Sequence, residues 1–180
     1  KNEEKLTMIE RFKQHAGVKE ILLSDVGYMQ GMSGNGLTTE KGNENSWIDI
    51  SVMAVPANFF SFMNIPIEQG RLPQTEKDIV VDNVWQEMQK KDVIGMNLYS
   101  GNTDYTICGI SAPFQANVYN RSSGYAFLPY DPSVYIGHCY IKSHPGQQKE
   151  VARWIEKVYR EMLPENITYQ AKTFLDDIHV

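Results

Sequence analysis

The fold is indicated most clearly by the stretch Pro145-Gly-Gln-Gln-Lys-Glu-Val-Ala-Arg-Trp-Ile-Glu-Lys-Val-Tyr-Arg-Glu-Met-Leu-Pro164. Apolar side chains recur in it at the spacing of one helical face, and charged side chains lie outside that stripe. The apolar positions are Val151, Trp154, Ile155, Val158 and Met162. Pro145 is tolerated in a first helical turn, and Pro164 ends the helix. Strand patterns at Cys139–Lys142 and Ile167–Ala171 flank it, which predicts a β-α-β unit with a right-handed crossover.

The rest of the chain also mixes helix and strand patterns. Leu6, Ile9 and Phe12 predict an amphipathic helix over Glu3–His15. A helical turn is expected over Asn58–Met63, and a second helix through Val84, Trp85 and Met88. Strands are expected at Lys19–Met29, Trp47–Val55, Asp78–Val81, Asn97–Ser100, Tyr105–Ile110 and Tyr125–Pro129. We therefore predict an α+β fold, a mixed sheet packed by two or three helices, in which the first two strands pair.

Composition excludes several classes of protein. The chain has 180 residues, of which 42% are hydrophobic, so it can bury a core. Its formal charge is -5, and Lys and Arg are scattered, so nucleic acid and anionic membrane surfaces are poor partners. No apolar run reaches the roughly 18 residues of a membrane span. Because the sequence starts at Lys1, without methionine, on a helix pattern already under way, we expect a piece of a longer chain whose membrane anchor lies elsewhere.

The two cysteines, Cys108 and Cys139, are too few for a disulfide framework or a four-ligand zinc site. Both lie in apolar, strand-like surroundings. We expect two buried thiols, with a single disulfide as the alternative.

The loop Gly31-Met-Ser-Gly-Asn-Gly36 invites two enzymatic interpretations, a nucleophile turn around Ser33 and a phosphate-binding loop. A nucleophile turn needs a second glycine where Asn35 stands. A phosphate loop needs a helix directly behind it, and Leu-Thr-Thr-Glu-Lys-Gly does not start one easily. A mobile connection over Gln30–Asn45 is the favoured interpretation.

No other catalytic or metal-binding constellation is recognisable. The histidines lack ligand spacing, and adjacent acidic residues diverge rather than converge on one point. The residues concerned are His15, His138, His144, His179, Glu3-Glu4 and Asp176-Asp177. We predict no catalytic residue, no cofactor and no metal, and therefore no enzyme.

One aromatic cluster could instead contact a ligand. Phe59, Phe60, Phe62 and Met63 could line an apolar binding groove. The alternative, which we favour, is that they supply core between sheet and helix.

Several segments resemble, in order and spacing, the periplasmic core domain of MacB/FtsX-like ABC transporter permeases. They cover about residues 47–178. They are Val55-Pro-Ala-Asn-Phe-Phe-Ser-Phe-Met-Asn-Ile-Pro-Ile-Glu-Gln-Gly-Arg71, Asp78-Ile-Val-Val-Asp82, Val93-Ile-Gly95, Tyr105-Thr-Ile-Cys-Gly-Ile-Ser111, and the run from Leu163-Pro to Phe174-Leu-Asp-Asp-Ile178. The sequence departs from the family in its glycine-rich loop, in Cys108 where an aliphatic residue is usual, and in lacking flanking membrane helices.

The resemblance implies a single domain inserted between two transmembrane helices of a bacterial inner-membrane permease, on the periplasmic side. It implies a porter-like β-α-β part over about 1–70 and 125–180, interrupted by a smaller β-rich part over about 71–124. The domain would transmit conformational change or contact substrate during efflux. Its implied partners are a cytoplasmic ABC ATPase, a second permease copy and a periplasmic adaptor. The rival functions are a free-standing extracytoplasmic sensor or binding domain, and a hydrolase using Ser33.

Overall fold

The computed structural model describes residues 2–25, 36–114 and 123–163. The helices are α1 (Asn2–Phe12), α2 (Phe59–Phe62), α3 (Asn83–Gln89) and α4 (Gln148–Met162). The strands are β1 (Val18–Ser24), β2 (Ser51–Val55), β3 (Ile67–Gly70), β4 (Asp78–Asp82), β5 (Asn97–Ser100), β6 (Thr103–Ser111), β7 (Tyr125–Pro129) and β8 (His138–Ser143). The predicted α+β class with a mixed sheet is confirmed.

The chain divides into two compact units. The terminal unit comprises Lys1–Leu23 and Pro132–Val180, and the inserted unit comprises Ser24–Asp131. The division that the resemblance implies, an outer part over about 1–70 and 125–180 and a β-rich part over about 71–124, stays a prediction. In the structure, β2 and β7 hydrogen-bond within the sheet of the inserted unit.

The terminal unit is built on two helices that share one core. The apolar stripe of α4 meets the apolar face of α1, as their periodicity predicts. The buried members of this core are Ile9, Phe12, Ile136, Val151, Ile155 and Val158. The indole Nε1 of Trp154 donates to the Arg11 carbonyl at 3.3 Å. Strands β1 and β8 form a two-stranded sheet in the same unit.

The inserted unit contains a six-stranded sheet with the order β2-β7-β4-β6-β3, and β5 pairs with β6 beside it. Strands β2 and β7 are parallel, as are β4 and β6, whereas β4 and β7 are antiparallel. All five residues of β4 are buried, because the strand lies in the middle of the sheet. Its apolar run Ile79–Val81 is therefore typical of a central strand.

The hairpin predicted at Gly101-Asn102 is confirmed, because β5 and β6 pair antiparallel across it. The predicted pairing of the first two strands is wrong within the described residues. There β1 pairs with β8, and β2 pairs with β7. An alternating pattern predicts that a strand forms but carries no information about its neighbour. Helix α4 begins at Gln148, so Pro145 precedes the helix rather than standing in its first turn. The strand predicted at 167–171 lies outside the described residues.

Candidate functional site

A groove lies at the edge of the inserted unit's sheet where β2 and β7 end. Because these strands are parallel, their last residues, Val55 and Pro129, lie side by side. Strand β4 is antiparallel to β7, so its first residue, Asp78, lies at the same edge. The groove has a volume of about 240 Å³. We call it the 55–130 groove; its lining comprises Val55, Pro56, Ala57, Phe60, Pro73, Gln74, Thr75, Glu76, Phe127, Leu128, Pro129 and Tyr130.

The aromatic cluster forms the interior behind this groove. Phe59, Phe60 and Phe62 are 0%, 3% and 8% exposed. The rings of Phe59 and Phe60 lie 5.4 Å and 5.2 Å from the Phe127 ring on β7, at distances typical of favourable aromatic pairs. Of the four residues proposed from the sequence as a contact surface, Phe60 alone belongs to the described groove lining. Met63 is half-buried. The burial of the three phenylalanines agrees with the core interpretation, and contact with a ligand stays a prediction for Phe59, Phe60, Phe62 and Met63.

One wall of the groove, residues 73–76, is held by the buried carboxylate of Asp78. The Arg71 guanidinium donates to both oxygens of Asp78, at 2.7 and 3.2 Å. The backbone N–H groups of Gln74 and Thr75 donate to the same carboxylate, at 2.9 and 3.1 Å. These hydrogen bonds, chiefly those from Arg71, lower the pKa of Asp78 to about 2. The carboxylate therefore fixes the backbone of the loop that forms the wall.

Gly70 is required where the chain turns from β3 towards Arg71. Its φ is +75°, and a Cβ there would stand 2.3 Å from the Cys108 carbonyl oxygen on β6. The close approach allows the Arg71 N–H to donate to that oxygen at 3.0 Å. Space alone constrains Gly109, because a Cβ there would lie 2.4 Å from the Arg71 carbonyl oxygen. Gly70 and Arg71 thus lie where the backbone passes close to Cys108 and Gly109 on β6, and this approach places the Arg71 side chain against Asp78.

The groove presents an apolar surface with few titratable groups. Most of its lining is apolar, with three prolines and the rings of Phe60, Phe127 and Tyr130. Glu76 is the single carboxylate among the described lining residues, and no histidine or cysteine accompanies it there. General acid-base catalysis needs positioned partners of suitable pKa, which this lining does not bring together. Such a surface suits an apolar or extended ligand.

A second buried carboxylate, Asp82, lies at the other end of β4. It is 1% exposed, and its Oδ1 accepts from the Trp85 N–H at 3.1 Å, which caps α3. Its buried Oδ2 has no hydrogen-bond partner among the residues that the structure describes. Burial raises the pKa of Asp82, and backbone hydrogen bonds oppose that shift only in part. A Cβ on Gly124 would lie 2.5 Å from Oδ1, so glycine is required beside the carboxylate.

The remaining residues singled out in the sequence do not converge on a site. Both cysteines are free; Cys108 is buried and the residue Cys139 is exposed, so the prediction of two buried residues is wrong for Cys139, although burial of its sulfur raises the pKa of the thiol to about 12. It lies on β8, in a two-stranded sheet too small to bury both faces of the strand. The Nδ1 of His15 accepts from the Gly17 N–H at 2.9 Å. Ser33, His179 and the pair Asp176-Asp177 lie outside the described residues.

Metal ligation has no visible basis in the part of the chain that the structure describes, since no group of three potential ligands occurs there.

The ion pair of Arg71 with Asp78 was not predicted from the sequence. A signal was available in the Gly-Arg pair followed seven residues later by an aspartate at the start of an apolar strand. Spacing alone could not identify it, because the loop conformation decides whether two such side chains meet.

Comparison with known proteins identifies the fold. No family model matches the chain, and no curated protein matches it. The solved structures similar to it include the following three, all at low sequence identity. The extracellular domain of the noncanonic ABC-type transporter YknZ from Gram-positive bacteria has a TM-score of 0.62 and 10% identity, over 86% of this chain and 81% of that one.

The other two are a periplasmic region and a domain of a permease protein by their names. The periplasmic region of MacB from Actinobacillus actinomycetemcomitans has a TM-score of 0.60 and 12% identity, over 87% of this chain and 72% of that one. A domain of a putative permease protein from Porphyromonas gingivalis has a TM-score of 0.59 and 13% identity, over 89% and 82%. The resemblance seen in the sequence is thus confirmed at the level of the fold.

None of the helices within residues 2–25, 36–114 and 123–163 is long and apolar enough to cross a membrane.

Proposed function

We propose that this chain is the extracytoplasmic domain of a bacterial ABC transporter permease, inserted between the first and second transmembrane helices. In this role it transmits conformational change and contacts substrate or periplasmic partners during export. An ATPase on the cytoplasmic side supplies the energy, and a second permease copy and a periplasmic adaptor are the expected neighbours. The observation that carries the proposal is the shared fold over most of the chain with permease domains from three sources.

The construction of the terminal unit supports a mechanical role. Helix α1 and helix α4 share one core in which Ile9 and Val158 are 3% and 0% exposed. Closely packed cores transmit displacement rather than absorb it. The Arg11 side chain also pairs with Glu161 near the end of α4, at 2.6 Å. A membrane helix that moves α1 would therefore move α4 with it.

A free-standing sensor or binding domain is the second candidate, and the apolar 55–130 groove is the observation that favours it. The two functions predict different sequences on either side of this chain. A permease domain requires an apolar span of about 20 residues before Asn2 and another beyond residue 180, whereas a free-standing sensor requires neither. The sequence of the complete gene therefore separates them, and the absence of both spans would exclude the permease function.

The mechanical role is tested in the complete permease, reconstituted with its ATPase. A flexible Gly-Ser insertion of four residues between Lys1 and Asn2 interrupts the link from the span to α1 without touching the core. We expect export to fall while ATP hydrolysis continues. The matched control is the same insertion after Gly42, an exposed turn residue at which an added Cβ would meet no atom within 4 Å. Equal export by both variants would contradict mechanical transmission through α1.

A further inference from the structure

We propose that the loop 132–136 of the terminal unit rests on the bilayer, with Val134 and Tyr135 in the headgroup region of the lipid. The inference rests on the proposed function, because it uses a membrane span that precedes α1. It adds to that function a specific contact between this domain and lipid. The two side chains are 77% and 55% exposed, the highest values among the large hydrophobic residues that the structure describes.

The loop is held against the first residues of α1. The side-chain amide of Asn2 donates to the carbonyl oxygens of Pro132 and Ser133, at 3.1 and 2.6 Å. The Lys5 ammonium donates to the Ile136 carbonyl oxygen at 2.7 Å. Wherever residue 2 lies relative to a membrane, the loop therefore lies beside it.

The loop buries one of its apolar side chains and exposes two others, and core formation accounts only for the buried one. Ile136 is 3% exposed and belongs to the core shared by α1 and α4. Val134, two residues earlier, is left in solvent together with the neighbouring Tyr135. The burial of Ile136 and the hydrogen bonds from α1 hold the loop in place. Val134 and Tyr135 are thus exposed on a loop whose backbone is held by hydrogen bonds from α1.

The composition of this surface suits a lipid interface. Tyrosine concentrates where hydrocarbon meets headgroups, because its ring is apolar and its hydroxyl is polar. The Lys5 nitrogen stands 5.2 Å from the centre of the Tyr135 ring, and one of its three donors is used by Ile136. The other donors can meet a lipid phosphate. Valine adds apolar area without a polar group that would need a partner.

The geometry also limits how far the span can lie from the loop. The headgroup layer is about 5 to 7 Å thick on each side of the hydrocarbon core. A helix rises about 1.5 Å per residue, so the loop reaches this layer when the span ends within roughly four residues of Asn2. The two apolar side chains would then enter the layer without any change of the fold.

The test uses the 180-residue chain attached through an N-terminal polyhistidine tag to phosphatidylcholine vesicles that contain a nickel-chelating lipid. Zwitterionic lipid is chosen because the chain carries a formal charge of -5. A polarity-sensitive fluorophore is placed at Val134→Cys in a Cys139→Ser background, in which Cys108 is buried. The matched control is Ala16→Cys, an exposed position beyond the other end of α1, about 15 Å along the helix.

We expect the emission of the label at position 134 to shift to the blue on tethering and to be quenched by brominated lipid. The label at position 16 should show neither effect. Adding Tyr135→Asn to the Val134→Cys variant should abolish most of the shift, because the neighbouring ring supplies most of the apolar area. These three results together support the proposal.

An unshifted label at position 134 on tethered protein would overturn the lipid contact. So would an equal shift at both positions, which means non-specific adsorption, or a shift without quenching, which means that a second protein molecule covers the loop. The outcome is independent of the gene test above. Flanking spans with an unshifted label remove this inference alone, whereas the absence of flanking spans removes the permease function first and with it the span on which this inference rests.

Discussion

The guanidinium of Arg71 donates two hydrogen bonds to the carboxylate of Asp78, at 2.7 and 3.2 Å, although the two residues lie seven positions apart in the sequence. The Asp78 side chain is 8% exposed and that of Arg71 is 47% exposed, so the pair stands at the boundary between core and solvent. Because the same carboxylate accepts two backbone N–H groups from Gln74 and Thr75, it organises the loop around itself. The wall of the 55–130 groove thus depends on one buried charge.

We expect Asp78→Asn to destabilise the protein by about 2 to 3 kcal/mol, because hydrogen bonds to a charged acceptor contribute about 1.5 to 3 kcal/mol and the amide cannot replace them all. Chemical denaturation of both proteins at neutral pH measures the difference. Asp104→Asn is the matched control, since Asp104 pairs with Lys41 and Lys77 at an exposed site. Exposed ion pairs contribute little. Equal stability of the two variants would contradict the assignment.

The Asp78 contribution should also disappear in acid. Its pKa in the folded chain is about 2, below the value of about 3.9 for an unfolded aspartate. A depressed folded pKa stabilises the protein above the unfolded pKa, and that stability is lost as the pH falls towards the folded pKa. The free energy difference between wild type and Asp78→Asn should therefore shrink between about pH 4 and pH 2. Urea unfolding at a series of pH values tests this, and a constant difference would refute it.

Gly70→Ala should be more destabilising than Gly95→Ala. Both glycines have similar positive φ values, +75° and +83°, so both substitutions carry a left-handed strain of about 1 to 2 kcal/mol. A Cβ at Gly95 meets nothing within 4 Å, whereas at Gly70 it stands 2.3 Å from the Cys108 carbonyl oxygen. Comparing the two melting temperatures isolates the effect of the backbone contact. A larger loss at Gly95 would disprove the close approach.

Two substitutions at Asp82 should distinguish the effect of its buried charge on stability from the effect of its capping hydrogen bond. Asp82→Asn keeps an acceptor for the Trp85 N–H and removes a buried charge, whereas Asp82→Ala loses the cap, at a cost of about 1 kcal/mol. We expect the Asn variant to be the more stable of the two at neutral pH. Thermal unfolding of both variants measures this.

The pH dependence at Asp82 has the opposite sign to that at Asp78. Burial raises the folded pKa of Asp82, so the stability associated with its proton is complete below the unfolded pKa and is lost as the pH rises through the folded pKa. Asp82→Asn does not titrate and should escape this loss. Its stability relative to wild type should therefore increase with pH and then level off. A relative stability that falls over that range would contradict the raised pKa.

Local patterns predicted most elements because they depend on neighbours along the chain. The stripe from Val151 to Met162 became α4, and the Gly101-Asn102 turn became the β5-β6 hairpin. The groove could not be predicted in this way. Its walls come from three segments separated by up to about seventy residues, and only the pairing of β2 with β7 and of β7 with β4 brings them to one edge.

The helices, most of the strands and the α+β class could be predicted from local patterns, since 3.6-residue and 2-residue periodicities follow from backbone geometry. The sequence also indicated the permease-like fold through the order of its short motifs. The folded chain alone shows which strands are neighbours, that Arg71 contacts Asp78, that Cys139 is exposed, and that Val134 and Tyr135 lie beside the start of α1. These are contacts between distant residues, which depend on how all the elements pack together, and no local pattern encodes them.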